Sequence, residues 1–328
     1  MTTPYATHDL HTDYPARLAA PQGDRLLERD RPVLLPLAPG EPFDPLHTFR
    51  CGQVFRWHRH GDTWYGPFGQ ASLAVRVTLD GLEVRAHGSA VTVDDAWRFL
   101  GLDTPLAEVY RRLRPDPHLA RAVEAAAGLR ILRQDPWECV AGYICSQWNN
   151  IPKIELSTGR IARDWGTVHP WDGGVEVPVL PPPERLAELE PEALKSCALG
   201  YRCKYLVRTA QRVAAGEIDL PSLRRLPYRE ALAALLALPG IGRKVADCIL
   251  LFSLDQPEAF PVDVWVRRVV HELYGEALSA YLPDAAARVE KGLTPREYDA
   301  ILCFAWDRWG ALAGYAQQYL FYTRRAGL

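Results

Sequence analysis

One lysine stands out among the residues that could do chemistry. Only five of the 38 basic residues are lysines, and Lys244 lies two positions after Gly242 in the stretch ALPGIGRKVADCIL, residues 237–250. A desolvated lysine can lose its proton and become a nucleophile, whereas arginine stays protonated in proteins. The positive end of a helix dipole and burial would both favour the neutral amine at this position.

A thiol and a carboxylate accompany this lysine in the sequence. Cys248 follows Lys244 by four residues, which places both on one face of a helix. Asp263 stands at the start of the next segment, FPVDVWV. An amine can displace the base at C1′ of a nucleotide and form a Schiff base, while a carboxylate stabilises the cationic sugar and moves protons. The residues therefore indicate chemistry on a nucleotide sugar.

The turn before Lys244 must position the amine. Gly240 and Gly242 allow the positive φ angles of a tight hairpin, and the helix that follows supplies aligned N–H groups for a phosphate. The same G-x-G occurs in dinucleotide-binding motifs, but those require a small residue where Val245 stands and a preceding β-strand. The preceding ALAALLALP has helix composition. The pattern predicts a helix-hairpin-helix at about residues 229–254.

Three segments are predicted along the chain. Residues 1–30 are polar and without period, and we expect a mobile or loosely packed arm. Residues 31–128 form an antiparallel sheet lobe, because LAVRVTLDGLEVRA alternates around an Asp-Gly turn. Residues 129–328 form a helical catalytic region, in which the Pro/Gly-rich segment 168–185 is predicted to be a long loop. The fold class is therefore α+β.

Helix starts are marked by caps. Asp135 precedes a proline, Asp263 precedes an apolar stretch that runs to Gly275, and Thr294 with Glu297 forms the pattern of a capping box. These signals predict helices beginning at about residues 136, 264 and 295.

Composition and charge exclude several classes of protein. A chain of 328 residues with 48% hydrophobic and 24% charged residues is typical of a globular protein with two domains. The first residues lack an apolar signal segment, so we expect a cytoplasmic protein, associated with the nucleoid in a bacterium. Seven scattered cysteines without C-x-x-C argue against disulfides, zinc ribbons and four-cysteine iron–sulfur loops. Net charge is −2, but residues 201–213 carry four basic and no acidic side chains, which predicts a local basic patch.

Several blocks resemble the 8-oxoguanine DNA glycosylase family. LPGIGRKVADCILL followed by PVDVWV is similar to the helix-hairpin-helix and Gly/Pro-Asp signature of the DNA glycosylase superfamily, and KVADC resembles the 8-oxoguanine branch. The similarity extends from about residue 45 to the C-terminus, in the further blocks CGQVFRW, QDPWECVAGYICSQWNNI, LGYRCKY and GYAQQYLF. It implies an N-terminal antiparallel sheet lobe like that of TBP, followed by a mostly helical catalytic domain. It also implies a base-excision repair enzyme that removes 8-oxoguanine from duplex DNA, with AP lyase activity.

The resemblance assigns roles to the site residues. Lys244 would be the Schiff-base nucleophile and Asp263 the catalytic carboxylate. The implied base pocket consists of Gly52, Cys248, Gln317 and Phe321. Gln317 would pair with the Watson–Crick edge of the purine, and Phe321 and Cys248 would face its two sides. The Gly52 carbonyl would accept the hydrogen on N7 of 8-oxoguanine, which guanine lacks; lost pairing of this kind costs about 1–3 kcal/mol.

The implied DNA contacts are Trp148, Asn149, Lys153, Tyr201, Arg202, Gly240, Gly242, Val245 and Trp265. Tyr201 would wedge beside the opened base pair, and Arg202 and Asn149 would address the base left opposite.

Three residues depart from the family pattern. Trp148 replaces the asparagine that fills the gap, Lys153 replaces an arginine that reads the opposite cytosine, and Trp265 replaces a histidine near the phosphate. An indole presents only one hydrogen-bond donor. We therefore expect weak discrimination for cytosine opposite the lesion.

The expected partner is double-stranded DNA containing oxidised guanine, bound by a monomer without a membrane. No cofactor and no metal are required, and a structural cation at the hairpin stays open.

Two other functions also stay open. A glycosylase for alkylated purines would use open aromatic faces and no lysine, so Lys244 and Gln317 count against it. A non-catalytic helix-hairpin-helix DNA-binding protein would not need Lys244, Cys248 and Asp263 together.

Overall fold

The computed structural model describes residues 14–21, 23–285 and 292–328. The described strands are β1 (Val33–Pro36), β2 (His58–His60), β3 (Thr63–Phe68), β4 (Ala71–Val77), β5 (Gly81–Gly88), β6 (Thr167–Pro170) and β7 (Glu176–Val179). The described α-helices are α1 (Pro45–Arg50), α2 (Val93–Phe99), α3 (Leu106–Leu113), α4 (Pro117–Ala125), α5 (Pro136–Cys145), α6 (Ile151–Trp165), α7 (Pro183–Ala187), α8 (Arg202–Ala214), α9 (Tyr228–Leu236), α10 (Arg243–Phe252), α11 (Val264–Leu278), α12 (Pro295–Trp309) and α13 (Ala313–Ala326). Short 3₁₀ turns lie at Asp172–Gly174, Pro191–Cys197, Pro221–Arg225 and Gly310–Leu312.

The first lobe contains a five-stranded antiparallel sheet in the order β1-β5-β4-β3-β2. The Asp80-Gly81 turn joins β4 to β5, with Val75 opposite Val84. Both valines are fully buried, because alternate residues of these strands face the core of the lobe. This sheet, followed by a mostly helical region, confirms the α+β fold class.

The segment 168–185 contains a second sheet, and the prediction of a long loop was wrong. β6 and β7 pair antiparallel, with Thr167 opposite Val179. Trp171 packs its ring edge-on against Tyr65, with 5.6 Å between centroids, and donates to Ser72 Oγ at 3.0 Å. Each strand is only four residues long, too short to show an alternation, so the Gly and Pro residues of the segment favoured the prediction of a loop. The hairpin covers the outer face of the five-stranded sheet.

The predicted caps begin their helices. The Asp135 carboxylate accepts from the Glu138 amide at 2.9 Å, and Thr294 Oγ1 accepts from the Glu297 amide at 3.2 Å. Glu297 does not complete a capping box as expected: its carboxylate is bonded to Arg267 at 2.6 Å and to His271 at 2.8 Å.

The helix after Asp263 is longer than predicted. It continues past Gly275 to Leu278, with a local distortion at Tyr274.

Within the described part of the chain, no helix combines the length and the apolar character needed to cross a bilayer.

The described part of the N-terminal arm contacts the rest of the chain. Arg17 forms ion pairs with Asp103 at 3.3 Å and with Asp255 at 2.6 Å. Leu27 is buried in the core of the sheet lobe. For residues 1–13 and 22 the prediction of a mobile arm lies outside the described residues.

Candidate active site

The hairpin between α9 and α10 places Lys244. Gly240 has φ +77°, and a Cβ there would lie 2.6 Å from Tyr205 Cβ, so the position requires glycine. Gly242 differs from expectation: its φ is −91°, which any residue can adopt. Its exposed face has no atom within 4 Å of where a Cβ would stand. The open face leaves the first N–H groups of α10 accessible to a phosphate.

Lys244 lies in the first turn of α10 and is half-buried. Its Nζ is 5.4 Å from the centroid of the Tyr143 ring. The buried Cys248 lies one turn further on in α10, four residues after Lys244. Burial raises the pKa of the Cys248 thiol to about 11, although the nearby lysine opposes the rise. The thiol is therefore neutral at physiological pH and does not form an ion pair with the lysine.

Asp263 caps α11 with a single carboxylate oxygen. Its Oδ1 accepts from the Trp265 amide at 2.9 Å and from the Val266 amide at 2.8 Å. Both cap bonds end on Oδ1, so Oδ2 is not needed to hold the helix. The Asp263 charge also contributes to the raised pKa of Cys248, below the effect of burial. Because the charges of Lys244 and Asp263 both act on the Cys248 thiol, we treat these three residues as one cluster.

A buried carboxylate beneath this cluster was not singled out from the sequence. Asp247 accepts from the Tyr228 hydroxyl at 2.5 Å and from the Tyr298 hydroxyl. The Val262 amide donates to the same Tyr298 hydroxyl at 3.2 Å. Burial raises the pKa of Asp247 to about 6. These contacts connect α10 to the segment that ends at Asp263. In the sequence, the signal for Asp247 was an acidic residue within the largely apolar stretch that follows Lys244.

The predicted base pocket lies between the end of α1 and α13. Gly52 has φ +96°, and a Cβ there would lie 3.1 Å from Ile151 Cδ1 and 3.5 Å from Phe321 Cε1. Gln317 lies one helical turn before the half-buried Phe321 and is only 4% exposed. Its Oε1 is buried and has no hydrogen-bond partner among the described residues. A buried carbonyl oxygen of this kind favours a ligand that brings a donor.

Tyr143 connects the pocket with the lysine cluster. Its hydroxyl donates to the Gln53 carbonyl, adjacent to Gly52, at 3.3 Å, while its ring lies beside the Lys244 amine. Burial raises the pKa of this hydroxyl well above its usual range, and Cys248 adds to the rise. Sequence reasoning missed Tyr143, because its importance depends on two segments that meet only in the fold.

An exposed tryptophan projects from the turn after α5. Trp148 is 96% exposed and has φ +46°, an uncommon conformation for a bulky residue. Arg202 donates to the Gln147 carbonyl at 2.8 Å and to the Trp148 carbonyl at 3.2 Å. Gln147 in turn donates to the Gly240 carbonyl at 2.7 Å. The Trp148 turn is thereby fixed to the hairpin.

The Arg202 side chain makes its contacts beneath this turn. The side chain is 6% exposed, and its guanidinium is bonded to backbone carbonyls beneath the turn. Asn149 is also engaged locally, since it donates to the Cys145 carbonyl at 3.1 Å. Both residues shape the turn, and their roles towards an opposite base stay predictions.

The other predicted contacts lie around this turn. Tyr201 is half exposed, with its ring 4.7 Å from the Arg202 guanidinium. Lys153 is exposed in the first turn of α6. Trp265 is partly exposed at the start of α11, with Arg268 5.8 Å from its ring. The Val245 side chain is buried in the core, so only its backbone N–H can reach a phosphate.

The predicted basic patch at residues 201–213 is smaller than expected. Arg202 is buried, and Arg212 pairs with Glu217 at 2.6 Å. Lys204 and Arg208 remain exposed on α8.

Among the described residues, no group of three or more His, Cys, Asp or Glu side chains is arranged to hold a metal ion. The question of a structural cation at the hairpin stays open.

Two protein families match consecutive parts of the chain. The model of the 8-oxoguanine DNA glycosylase N-terminal domain matches residues 35–140. The model of the HhH-GPD superfamily of base excision DNA repair proteins matches residues 141–281. Together they include every predicted site residue except those of α13.

Individual proteins are similar over most of the chain. The N-glycosylase/DNA lyase OGG1 of Arabidopsis thaliana is 35% identical over 286 residues, which cover 84% of this chain and 75% of the plant protein. MBOgg1, solved with a low-affinity DNA ligand, superposes with a TM-score of 0.80 at 31% identity, over 94% of this chain and 99% of the other. The Clostridium acetobutylicum 8-oxoguanine glycosylase/lyase, solved with double-stranded DNA containing cytosine opposite 8-oxoG, gives a TM-score of 0.78 at 29% identity, over 94% of this chain and 100% of the other.

Proposed function

Because the chain belongs to the 8-oxoguanine DNA glycosylase family, we infer that it is a bifunctional DNA glycosylase and AP lyase that removes 8-oxoguanine in base-excision repair. The observation that carries this proposal is the connection, through Tyr143, of a lysine–carboxylate cluster to a pocket with an unpaired buried amide oxygen. The first group supplies chemistry at a sugar and the second supplies recognition of a base.

The cluster supports attack by Lys244 on C1′ of the flipped nucleotide. As the Nζ–C1′ bond forms, the N-glycosidic bond breaks, and its electron pair leaves on N9 of the purine, which takes up a proton. The Asp263 carboxylate stabilises the cationic sugar and accepts a proton from the attacking amine. The C1′–O4′ bond of the resulting aminal then breaks, with a proton to O4′, and the opened sugar carries a Schiff base to Lys244. Loss of a C2′ proton from this Schiff base expels the 3′-phosphate by β-elimination. Water then hydrolyses the remaining Schiff base and releases the Lys244 amine.

The pocket suits an oxidised guanine. Its Watson–Crick edge offers N1–H and N2–H donors, which match the unpaired Oε1 of Gln317. The Gly52 carbonyl accepts the hydrogen on N7, and Phe321 stacks on the ring. Normal guanine would place a bare N7 lone pair against the same carbonyl, so it forfeits a hydrogen bond and meets repulsion.

The exposed residues around the hairpin suit a duplex with one base turned out. The phosphate backbone would contact the open face of Gly242 and the N–H groups of α10. Trp148 fills the gap by stacking, Tyr201 wedges beside the opened pair, and Lys153 meets the opposite strand. All of these groups come from one chain, which supports action as a monomer. A cytoplasmic location stays a prediction.

Borohydride trapping tests the proposal. We expect a covalent adduct between the wild-type protein and a duplex containing 8-oxoguanine, because borohydride reduces the Schiff base to a stable amine. Lys244→Gln should give no adduct. Lys195→Gln is the matched control, since Lys195 is exposed and faces Glu192 at 3.9 Å; it should trap like the wild type.

Other outcomes would contradict the proposal. Release of methylated bases without an adduct would indicate a glycosylase for alkylated purines. Tight binding of duplex DNA with neither base release nor an adduct would indicate a non-catalytic DNA-binding protein.

A further inference from the structure

Arg325 lies on the last turn of α13, at the mouth of the proposed base pocket. Its Nη2 donates to the Arg50 carbonyl at 2.9 Å. Its guanidinium carbon lies 5.2 Å from the centroid of the Phe321 ring. A Cβ on Gly52 would lie 2.7 Å from Nη1, which places that nitrogen directly against the Gly52 backbone. Two independent contacts therefore hold the guanidinium beside the two residues proposed to read the base.

The nitrogen that faces Gly52 lacks a partner. Nη1 is buried and makes no hydrogen bond among the described residues. A charged N–H group that is removed from water without an acceptor is costly, so such a group in a site favours a ligand that accepts. Nη2 donates to the Arg50 carbonyl and the guanidinium lies beside Phe321, so Nη1 is the buried guanidinium nitrogen that a ligand would satisfy.

We propose that Arg325 is a specificity-determining residue that donates from Nη1 to a carbonyl oxygen flanking N7 of the flipped purine. This inference rests on the proposed function, because Gly52 is placed at N7 by that function. In 8-oxoguanine, O8 is on C8, which is bonded to N7, and O6 is on C6, one ring atom beyond C5 on the other side of N7, so either oxygen falls beside a group that reads N7. Gly52 rejects the unoxidised N7, and Arg325 binds the adjacent carbonyl.

Single-turnover excision separates this role from a structural one. In Arg325→Gln, we expect the rate of 8-oxoguanine release to fall by roughly 10- to 100-fold, as befits a lost hydrogen bond from a charged donor. Borohydride trapping of the same variant on a duplex with a preformed abasic site should equal that of the wild type, because no base is present to contact. The matched control is Arg324→Gln, which removes the same charge from the neighbouring residue, where Arg324 pairs with Glu272 on the surface at 2.6 Å; it should behave as the wild type in both assays.

A second substrate identifies the oxygen. 8-Oxoadenine keeps O8 and the N7 hydrogen but carries an amino donor in place of O6. If Nη1 binds O8, Arg325→Gln should slow release of both oxidised bases by the same factor. If Nη1 binds O6, the loss should be confined to 8-oxoguanine.

Three results would overturn the inference. The first is release of 8-oxoguanine by Arg325→Gln at the wild-type rate. The second is a loss of abasic-site trapping by Arg325→Gln as large as its loss of base release. The third is a loss of base release by Arg324→Gln as large as that of Arg325→Gln. Failure of the wild-type protein to release 8-oxoguanine at all would instead overturn the proposed function.

Discussion

At the scale of single residues, the proposal gives Asp263 both a structural and a chemical task. The two helix-capping bonds end on Oδ1, so we expect the remaining oxygen and the charge to serve the reaction. Substitutions can therefore separate the two tasks.

Asp263→Asn should keep the cap and lose the chemistry. Asparagine caps a helix as well as aspartate, so we expect the free energy of unfolding to stay within about 0.5 kcal/mol of the wild type. Single-turnover base release should fall by roughly 10²- to 10³-fold, because the developing positive charge loses its carboxylate. Asp263→Ala should lose a similar factor in rate and, in addition, about 1 kcal/mol of stability in denaturant unfolding. An active Asp263→Asn variant would contradict the assigned role.

Gly52 should tolerate no side chain. In Gly52→Ala the new methyl would meet Ile151 at 3.1 Å and Arg325 at 2.7 Å, in a backbone conformation that already disfavours alanine. We expect loss of 8-oxoguanine binding in gel-shift assays together with a loss of about 1–2 kcal/mol of stability. Gly40→Ala supplies the control, because Gly40 has φ +82° and no atom within 4 Å of a new Cβ. Gly40→Ala should lose stability but keep 8-oxoguanine binding. Equal losses of binding in Gly40→Ala and Gly52→Ala would contradict the placement of Gly52 in the base pocket.

Trp148 should make excision insensitive to the opposite base. Its indole can stack in the gap but offers a single donor, so we expect rates opposite C, A, G and T to lie within about tenfold of one another. Trp148→Ala should slow all four, because base stacking is worth about 1–3 kcal/mol. Leu79→Ala, another fully exposed apolar side chain, should change none of them. A strong preference of the wild type for cytosine would contradict this assignment.

At the scale of elements, the sequence predicted those whose signals are local. The Asp80-Gly81 turn and the caps at Asp135 and Asp263 each act over a few residues, and each appears where expected. The β6–β7 hairpin was missed, because its strands are too short to show a period and depend on packing against Tyr65.

We expect His169 of β6, which is buried beside Ser72, to make the stability of the protein depend on pH. Burial, followed by the neighbouring His87, lowers the pKa of His169 from its usual 6.5. The native protein therefore excludes a proton that the unfolded chain binds below pH 6.5, and stability is lost as pH falls through that value. We expect the wild type to lose more free energy of unfolding between pH 7.5 and pH 5.5 than His169→Gln does. The exposed His60→Gln should retain the wild-type loss, and an identical loss in His169→Gln would contradict this explanation.

At the scale of the whole molecule, the site gathers residues from segments far apart in sequence. Gly52 follows α1, Tyr143 lies on α5, Lys244 on α10 and Gln317 on α13. The lysine and Asp263 could be predicted, because their chemistry and spacing are local. Tyr143 and Arg325 could not, because their roles arise only where distant segments meet. The backbone contacts of Arg202 likewise depend on tertiary structure that its sequence context does not reveal.

The central claim is that this assembly exists to present one amine to deoxyribose. Single-turnover release of 8-oxoguanine by Lys244→Gln tests it most directly, since glutamine keeps the side chain polar and similar in length but cannot form a Schiff base. We expect release to fall by more than about 10³-fold, the scale of losing a reacting group, while duplex binding persists. Base release by Lys244→Gln at the wild-type rate would contradict the account.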